Sequence, residues 1–250
     1  MSEAQSSLRT RGLPRPTRHD VVVSGPAVGW RYRLFGRSVP AVLYTGLGIL
    51  VALNLERSIV ESRGHGVLYI VGHPVRLALY LLFCTIPVVL FLTRPVPTGR
   101  DGGWAARAAA FGGTLILVGA GAAGGSAGGM LATPPTWLSD GAAALFACFT
   151  ALEVYALLRL RTSFSIIPEA RRLVTDGPYS VVRNPLYAAE IAAALAWTAS
   201  EPRVVLVAAL LPFIGLQLLR IRFEERLLRK AFPDYAGYFA RTRRLVPFVW

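Results

Sequence analysis

Charge is scarce in this chain and lysine scarcer still: Lys230 is the only lysine, and Asp, Glu, Lys and Arg together make up 16% of the 250 residues. Soluble domains carry about 25% charged residues, so a solvated globule is excluded, the more so with 54% apolar residues and a mean hydropathy of +0.48. Histidine and cysteine are also few. The three histidines stand apart at positions 19, 65 and 73, and both cysteines, Cys84 and Cys148, fall in apolar stretches. No metal-ligand spacing arises, and the cysteines read as packing residues and not as a disulfide or a metal pair. A short charged leader before the first apolar run is missing too. About 38 polar and basic residues precede that run, which points away from a secretory signal. A basic set made almost wholly of arginine, with much Ala and Gly, suits a GC-rich bacterial gene.

What is present is a succession of apolar runs. A spanning helix takes roughly 20 mostly apolar residues, and spans are expected near 39–55, 68–92, 108–130, 140–160, 186–200 and 203–221. The fifth run is short. With the polar break Ser200-Glu201-Pro202-Arg203 behind it, the last two runs read as a helical hairpin, so the expected fold is an all-α membrane protein of five to six transmembrane helices. Of the 27 basic residues, 23 fall on one side of this arrangement, in the N-terminal segment, the 94–107 loop, the 159–183 segment and the C-terminus. By the positive-inside rule both termini and the 161–186 loop are cytoplasmic, and the protein belongs in the cytoplasmic membrane. Topology thereby accounts for the net charge of +13, and without an aromatic-interleaved basic patch nucleic acid is not an expected partner. Residues 1–37 are expected to be a basic, disordered cytoplasmic tail, 38–160 to carry the first four spans, and 161–250 to form a separate functional region.

Within the spans, Gly121, Gly125 and Gly129 recur at four-residue spacing. Small residues on one face let helices approach closely in lipid, and tight packing outranks a ligand groove because no strand or Lys-Ser/Thr accompanies them. Glu153 lies inside the fourth run, where an ionisable residue is costly; it is either functional or paired with Arg159.

Two polar constellations flank the hairpin. The first is LVTDGPYSVVRNPLY, residues 173–187. Asp176-Gly177-Pro178 makes a turn, Pro185 suits a helix's first turn, and Asn184 is placed to cap that helix. The N-terminal N–H groups there favour an anion, with Arg183 alongside. Read alone, it is a structural cap with a snorkelling arginine. The second is LLRIRFEERLLRKAFPDYAGY, residues 218–238. Helical spacing puts Arg220 with Glu224 and Glu225 with Arg229 at i, i+4. Read alone, it is an interfacial amphipathic helix with ordinary ion pairs. Both lie at one membrane boundary, so they can converge.

Together these blocks resemble the membrane-embedded methyltransferases of the isoprenylcysteine carboxyl methyltransferase and phospholipid methyltransferase superfamily, over roughly residues 161–250. The resemblance implies a helical membrane enzyme that binds S-adenosylmethionine in a cytoplasmic pocket partly enclosed by the C-terminal segment, with a lipophilic acceptor entering from the bilayer. The family's motif falls on Gly177, Pro178, Tyr179, Arg183, Asn184, Pro185 and Tyr187. Leu173 and Val174 match positions whose backbone holds the adenosyl part, Glu224 and Glu225 match the acidic pair, and Arg220 matches the arginine before it. Phe232, Tyr235 and Tyr238 match the downstream aromatics. Asn184 stands where histidine is usual; it can hydrogen-bond but not titrate near neutrality.

The chemistry agrees. Methyl transfer from a sulfonium is an in-line displacement that asks the protein to position two partners and exclude water. Glu224 and Glu225 are expected to hold the cofactor's ammonium group, and Arg183 and Arg220 its carboxylate or an anionic acceptor. Arg183, Arg220 and Glu224 are therefore the expected catalytic group. Since Glu224 is the one base available for an amine, an acceptor already anionic, such as a carboxylate or a readily ionised thiol, is favoured over a phospholipid amine. The expected acceptor is a lipophilic or prenylated molecule, most nearly an isoprenylcysteine-like carboxylate, with a phospholipid headgroup or a small thiol as the runner-up. A non-catalytic membrane protein or small transporter, using the Gly-rich span and Glu153, is the reading from another class; it predicts charge inside several spans or broken helices paired in two repeats, and the sequence shows no internal repeat.

Overall fold

The computed structural model describes residues 32–95, 97, 99–100, 103–127 and 129–249. The expected disordered tail thus lies outside the described residues as far as residue 31, while its last part is helical: Tyr32–Ser38 forms a π-helical lead-in to α1 (Val39–Glu61). Next comes α2 (Val67–Ile70), which continues through a π-helical turn containing Pro74 into α3 (Arg76–Thr93). Proline has no N–H and crowds the preceding carbonyl, which the wider turn accommodates. A two-residue strand β1 (Gly99–Arg100) precedes α4 (Trp104–Ala127) and α5 (Thr136–Leu160). The long loop that follows carries strand β2 (Glu169–Ala170), antiparallel to β1. Helices α6 (Pro185–Ser200), α7 (Val204–Ala231) and α8 (Tyr235–Arg241) complete the chain.

Among the described residues, five helices are long and apolar enough to cross a membrane. Helix α6 is the exception: its 16 residues span about 24 Å at about 1.5 Å per residue, short of the roughly 30 Å hydrocarbon core. It nevertheless runs end to end with its neighbours. At one end of the bundle Ser139 Oγ donates to the carbonyl of Ser200 at 3.1 Å, and Leu131 N to that of Pro202 at 2.8 Å. At the other end Arg37 donates to the carbonyl of Arg94, Arg94 Nη1 to that of Phe164 at 3.0 Å, and Arg94 faces Glu169 at 3.5 Å. The start of α1, the α3–α4 loop and the 161–184 loop therefore share one end. Exposed leucines and valines such as Leu50, Val89, Leu145 and Leu211 give the outer surface the apolar character that lipid demands and water penalises.

The C-terminal hairpin is present, but its arms diverge. Helix α6 packs chiefly on α5, whereas α7 packs chiefly on α4; α5 also packs on α3, and α3 on α1. Where α4 meets α6, Gly121 makes room for a ring: an added Cβ there would lie 2.6 Å from Trp197 Cη2. The tight helix packing expected of the Gly-rich run is seen at that residue.

Candidate functional site

The 173–187 loop is held by the chain's far end. Arg183 N donates to the carbonyl of Arg243 at 2.7 Å and Asn184 N to that of Arg244 at 3.1 Å. Tyr238 Oη, from α8, donates to the carbonyl of Tyr179 at 2.7 Å. The turn itself needs Gly177: its φ is +61°, and a Cβ there would sit 2.8 Å from Arg159 Nε. Pro185 opens α6 as its first residue.

Beneath this strap lies one buried carboxylate serving three donors. Glu225 Oε1 accepts from Arg183 Nε at 3.2 Å and from Asn184 Nδ2 at 3.1 Å, and Oε2 accepts from Arg244 Nη2 at 3.0 Å. Arg183 also donates to the carbonyls of Phe239, at 3.0 Å, and Thr242, with its guanidinium 4.0 Å from the Phe239 ring centroid. Several local expectations change in consequence. Asn184 occupies the capping position but makes no cap hydrogen bond; its amide turns instead to Glu225 and to the carbonyl of Arg244. Glu225 does not pair with Arg229, which stacks 4.2 Å from the Phe239 ring centroid. Glu153 does not meet Arg159, whose guanidinium is exposed beside Asp176 at 3.4 Å.

The second constellation faces the first across a narrow pocket of about 90 Å³. Leu173, Val174, Tyr179, Arg183, Asn184, Tyr187, Arg220 and Glu224 line it, as do Tyr235 and Tyr238. Gly177 and Pro185 shape the loop behind it, Glu225 lies beneath as the anchor, and Phe232 does not reach it. Sequence reasoning missed Ser163, Ser165, Arg172 and the apolar wall Leu227-Leu228. The leucines carried a signal, since each is one turn beyond a glutamate of the acidic pair on α7.

Glu224 accepts a hydrogen bond from Tyr187 Oη. Arg220, 4% exposed, donates from Nη1 to Gln217 Oε1 at 2.9 Å and stands 5.0 Å from the Tyr187 ring centroid. Among the described residues, three buried donors on this pocket have no protein partner: Arg220 Nε, Tyr179 Oη and Tyr235 Oη. Burial pushes the Tyr179 and Tyr235 hydroxyls above the usual tyrosine range, so both remain neutral donors at physiological pH. Buried donors without acceptors cost stability unless a ligand supplies them. The residues thus fit an amphoteric ligand with an apolar portion: Glu224 for a cation, Arg220 and the tyrosines for a carboxylate, and Leu173, Val174, Leu227 and Leu228 for a flat apolar ring. Among the described residues, no group of three or more His, Cys, Asp or Glu side chains could hold a metal ion.

Comparison with known proteins bears on this region. Residues 138–235 match the family model described as phospholipid methyltransferase. The cobalt-zinc-cadmium resistance protein CzcN of Cupriavidus metallidurans is 40% identical over 76 residues, 30% of this chain and 35% of that protein. The nickel-cobalt-cadmium resistance protein NccN of Alcaligenes xylosoxydans xylosoxydans is 35% identical over 80 residues, covering 32% of this chain and 38% of its own. The match thus extends over little more than a third of either relative's length.

Proposed function

We propose, on the premise that residues 138–235 belong to the isoprenylcysteine carboxyl methyltransferase and phospholipid methyltransferase superfamily, that this membrane protein transfers a methyl group from S-adenosylmethionine to a lipophilic acceptor. The observation that carries the reading is the set of three unpartnered buried donors, Arg220 Nε, Tyr179 Oη and Tyr235 Oη, around a pocket that also presents Glu224. Members of this family generally use S-adenosylmethionine, which when bound supplies an electrophilic methyl group.

The chain's own residues then have separate tasks. Glu224 holds the cofactor's positive charge, oriented by the Tyr187 hydroxyl. Arg220 and the two tyrosines hold its carboxylate, and the leucine wall with Val174 shields the adenosyl part from water. Arg183 and Glu225 act as a clamp that fixes the C-terminal strap over the loop. At about 90 Å³ the pocket is narrower than the 300–1,000 Å³ typical of small-molecule sites, so entry of the cofactor requires the strap to lift. In this reading the pocket end faces the cytoplasm with both termini, as the clustering of Arg37, Arg94, Arg171, Arg183 and Arg244 at that end supports.

The isoprenylcysteine-like carboxylate favoured by the sequence relied on both Arg183 and Arg220 being free to receive an anion. Arg183 is fully engaged with Glu225 and two carbonyls, which removes half of that support. Membranes containing the protein, incubated with methyl-labelled S-adenosylmethionine and extracted, should yield a labelled lipid-phase product. A base-labile product identifies an ester and a base-stable one an amine or thioether. Absence of any label above that from membranes lacking the protein sinks the enzymatic reading.

A further inference from the structure

The divergence of α6 and α7 leaves a second space among the helices, a chamber of about 480 Å³ that opens outward past exposed Leu50 and Asn54 and lies within the range of small-molecule sites. Its walls come from α1, α3, α4, α5, α6 and α7 and are mostly apolar and aromatic. Three carboxylates, Glu153, Glu190 and Glu201, and two guanidiniums, Arg76 and Arg220, interrupt them. Glu153, 3% exposed, lines the chamber and receives no hydrogen bond or ion pair from any described residue. Glu190 accepts from Gln217 Nε2. Gln217 in turn accepts from Arg220, which lines both the chamber and the pocket described above. The two spaces share a wall at that side chain.

A carboxylate buried among apolar side chains without a donor is costly. Nothing in the packing of α5 supplies a donor to Glu153, so a ligand that carries one accounts for its place there. An anionic ligand does the opposite. A carboxylate or phosphate lodged beside Glu153 and Glu190 adds acceptors and no donor to a desolvated space, while both guanidiniums on the wall are already engaged, Arg220 with Gln217, Glu190 and Glu224 and Arg76 with the Phe146 ring and Glu201. A nitrogen with hydrogens satisfies both carboxylates, and the Tyr80 and Trp197 rings on the wall suit a positive charge.

We propose that the chamber receives the acceptor's head and that this head is a lipophilic amine without a phosphate group, bound by Glu153 and Glu190. The proposal rests on the methyltransferase reading for calling the ligand an acceptor, but the binding does not require the cofactor.

Trp197 on the chamber wall offers a local reporter. The full chain in lipid nanodiscs, without S-adenosylmethionine, is titrated with 12-bromododecylamine, 12-bromododecanoic acid and a brominated lysophosphatidylethanolamine, and tryptophan quenching is read against the Trp197→Phe protein. The amine is expected to quench the Trp197 component at a concentration at least tenfold lower than the acid or the lysolipid. Glu153→Gln should weaken the amine tenfold or more while the thermal midpoint stays at or above wild type, and the acid should gain. Equal or tighter quenching by the acid or the lysolipid overturns the proposal, as does an amine titration unchanged in Glu153→Gln. Should Glu190→Gln fail to fold through loss of its Gln217 contact, Glu153→Gln alone decides. A protein that binds the amine yet never binds S-adenosylmethionine contradicts the enzymatic reading and leaves the chamber assignment standing.

Discussion

The pocket end and the interior chamber use buried charge in opposite ways. At the pocket end Glu225 answers three donors, Arg183, Asn184 and Arg244, and the strap, the loop and α7 are pinned by one carboxylate. In the chamber Glu153 answers none. The first arrangement holds the fold together and leaves only selected donors open; the second carries a cost that the fold itself does not recover. A buried charge with a full set of partners is therefore weak evidence of function, and one without partners is stronger evidence.

Breaking the hub should have the largest effect. Glu225→Ala leaves two arginines and an amide facing an empty buried site, and a loss of about 3–5 kcal/mol is expected, seen as a lowered thermal midpoint and as protease sensitivity of the C-terminal strap. Next comes the contact that shapes the chamber. Gly121→Leu forces side-chain atoms into the space of the Trp197 ring, 2.6 Å from where a Cβ would stand, at a cost of about 1–3 kcal/mol, with a shift in tryptophan emission as the check. Asn184→Ala removes one of three donors to Glu225 and should cost about 1 kcal/mol in the same unfolding assay. The smallest change sharpens the contrast most. Glu153→Gln should leave stability unchanged or raise it, because it replaces a buried ionisable group that has no partner among the described residues with a neutral amide of similar shape.

The two regions also differed in how far they could be read from sequence. The pocket was legible because its residues come in two dense runs, LVTDGPYSVVRNPLY and RIRFEERLLRKAF, on either side of a hairpin whose turn is marked by Glu201-Pro202. Their convergence follows from connectivity. Local rules failed inside it where a distant partner outcompeted a near one. The Asn184 side chain turned from its own helix end to a carboxylate 41 residues away, and Arg229 found an aromatic ring instead of its i−4 glutamate. The Glu153–Arg159 pair was never on one face, since six residues advance about 240° around a helix. The chamber was illegible for a different reason. Glu190, Gln217, Tyr44 and Tyr80 are lone polar or aromatic residues in four different helices, and only the splay of α6 from α7 brings them to one space. A lone Glu190 inside an apolar run is nonetheless a signal of the same kind as Glu153.

The central claim is that the pocket built from the 173–187 loop and α7 binds S-adenosylmethionine. Calorimetric titration of S-adenosylmethionine into the purified protein in nanodiscs tests it directly, with Arg220→Ala and Glu224→Gln alongside. Saturable binding by wild type, weakened at least tenfold in each variant while both still unfold cooperatively, is the predicted result. No binding by wild type, or equal binding by all three proteins, would contradict it.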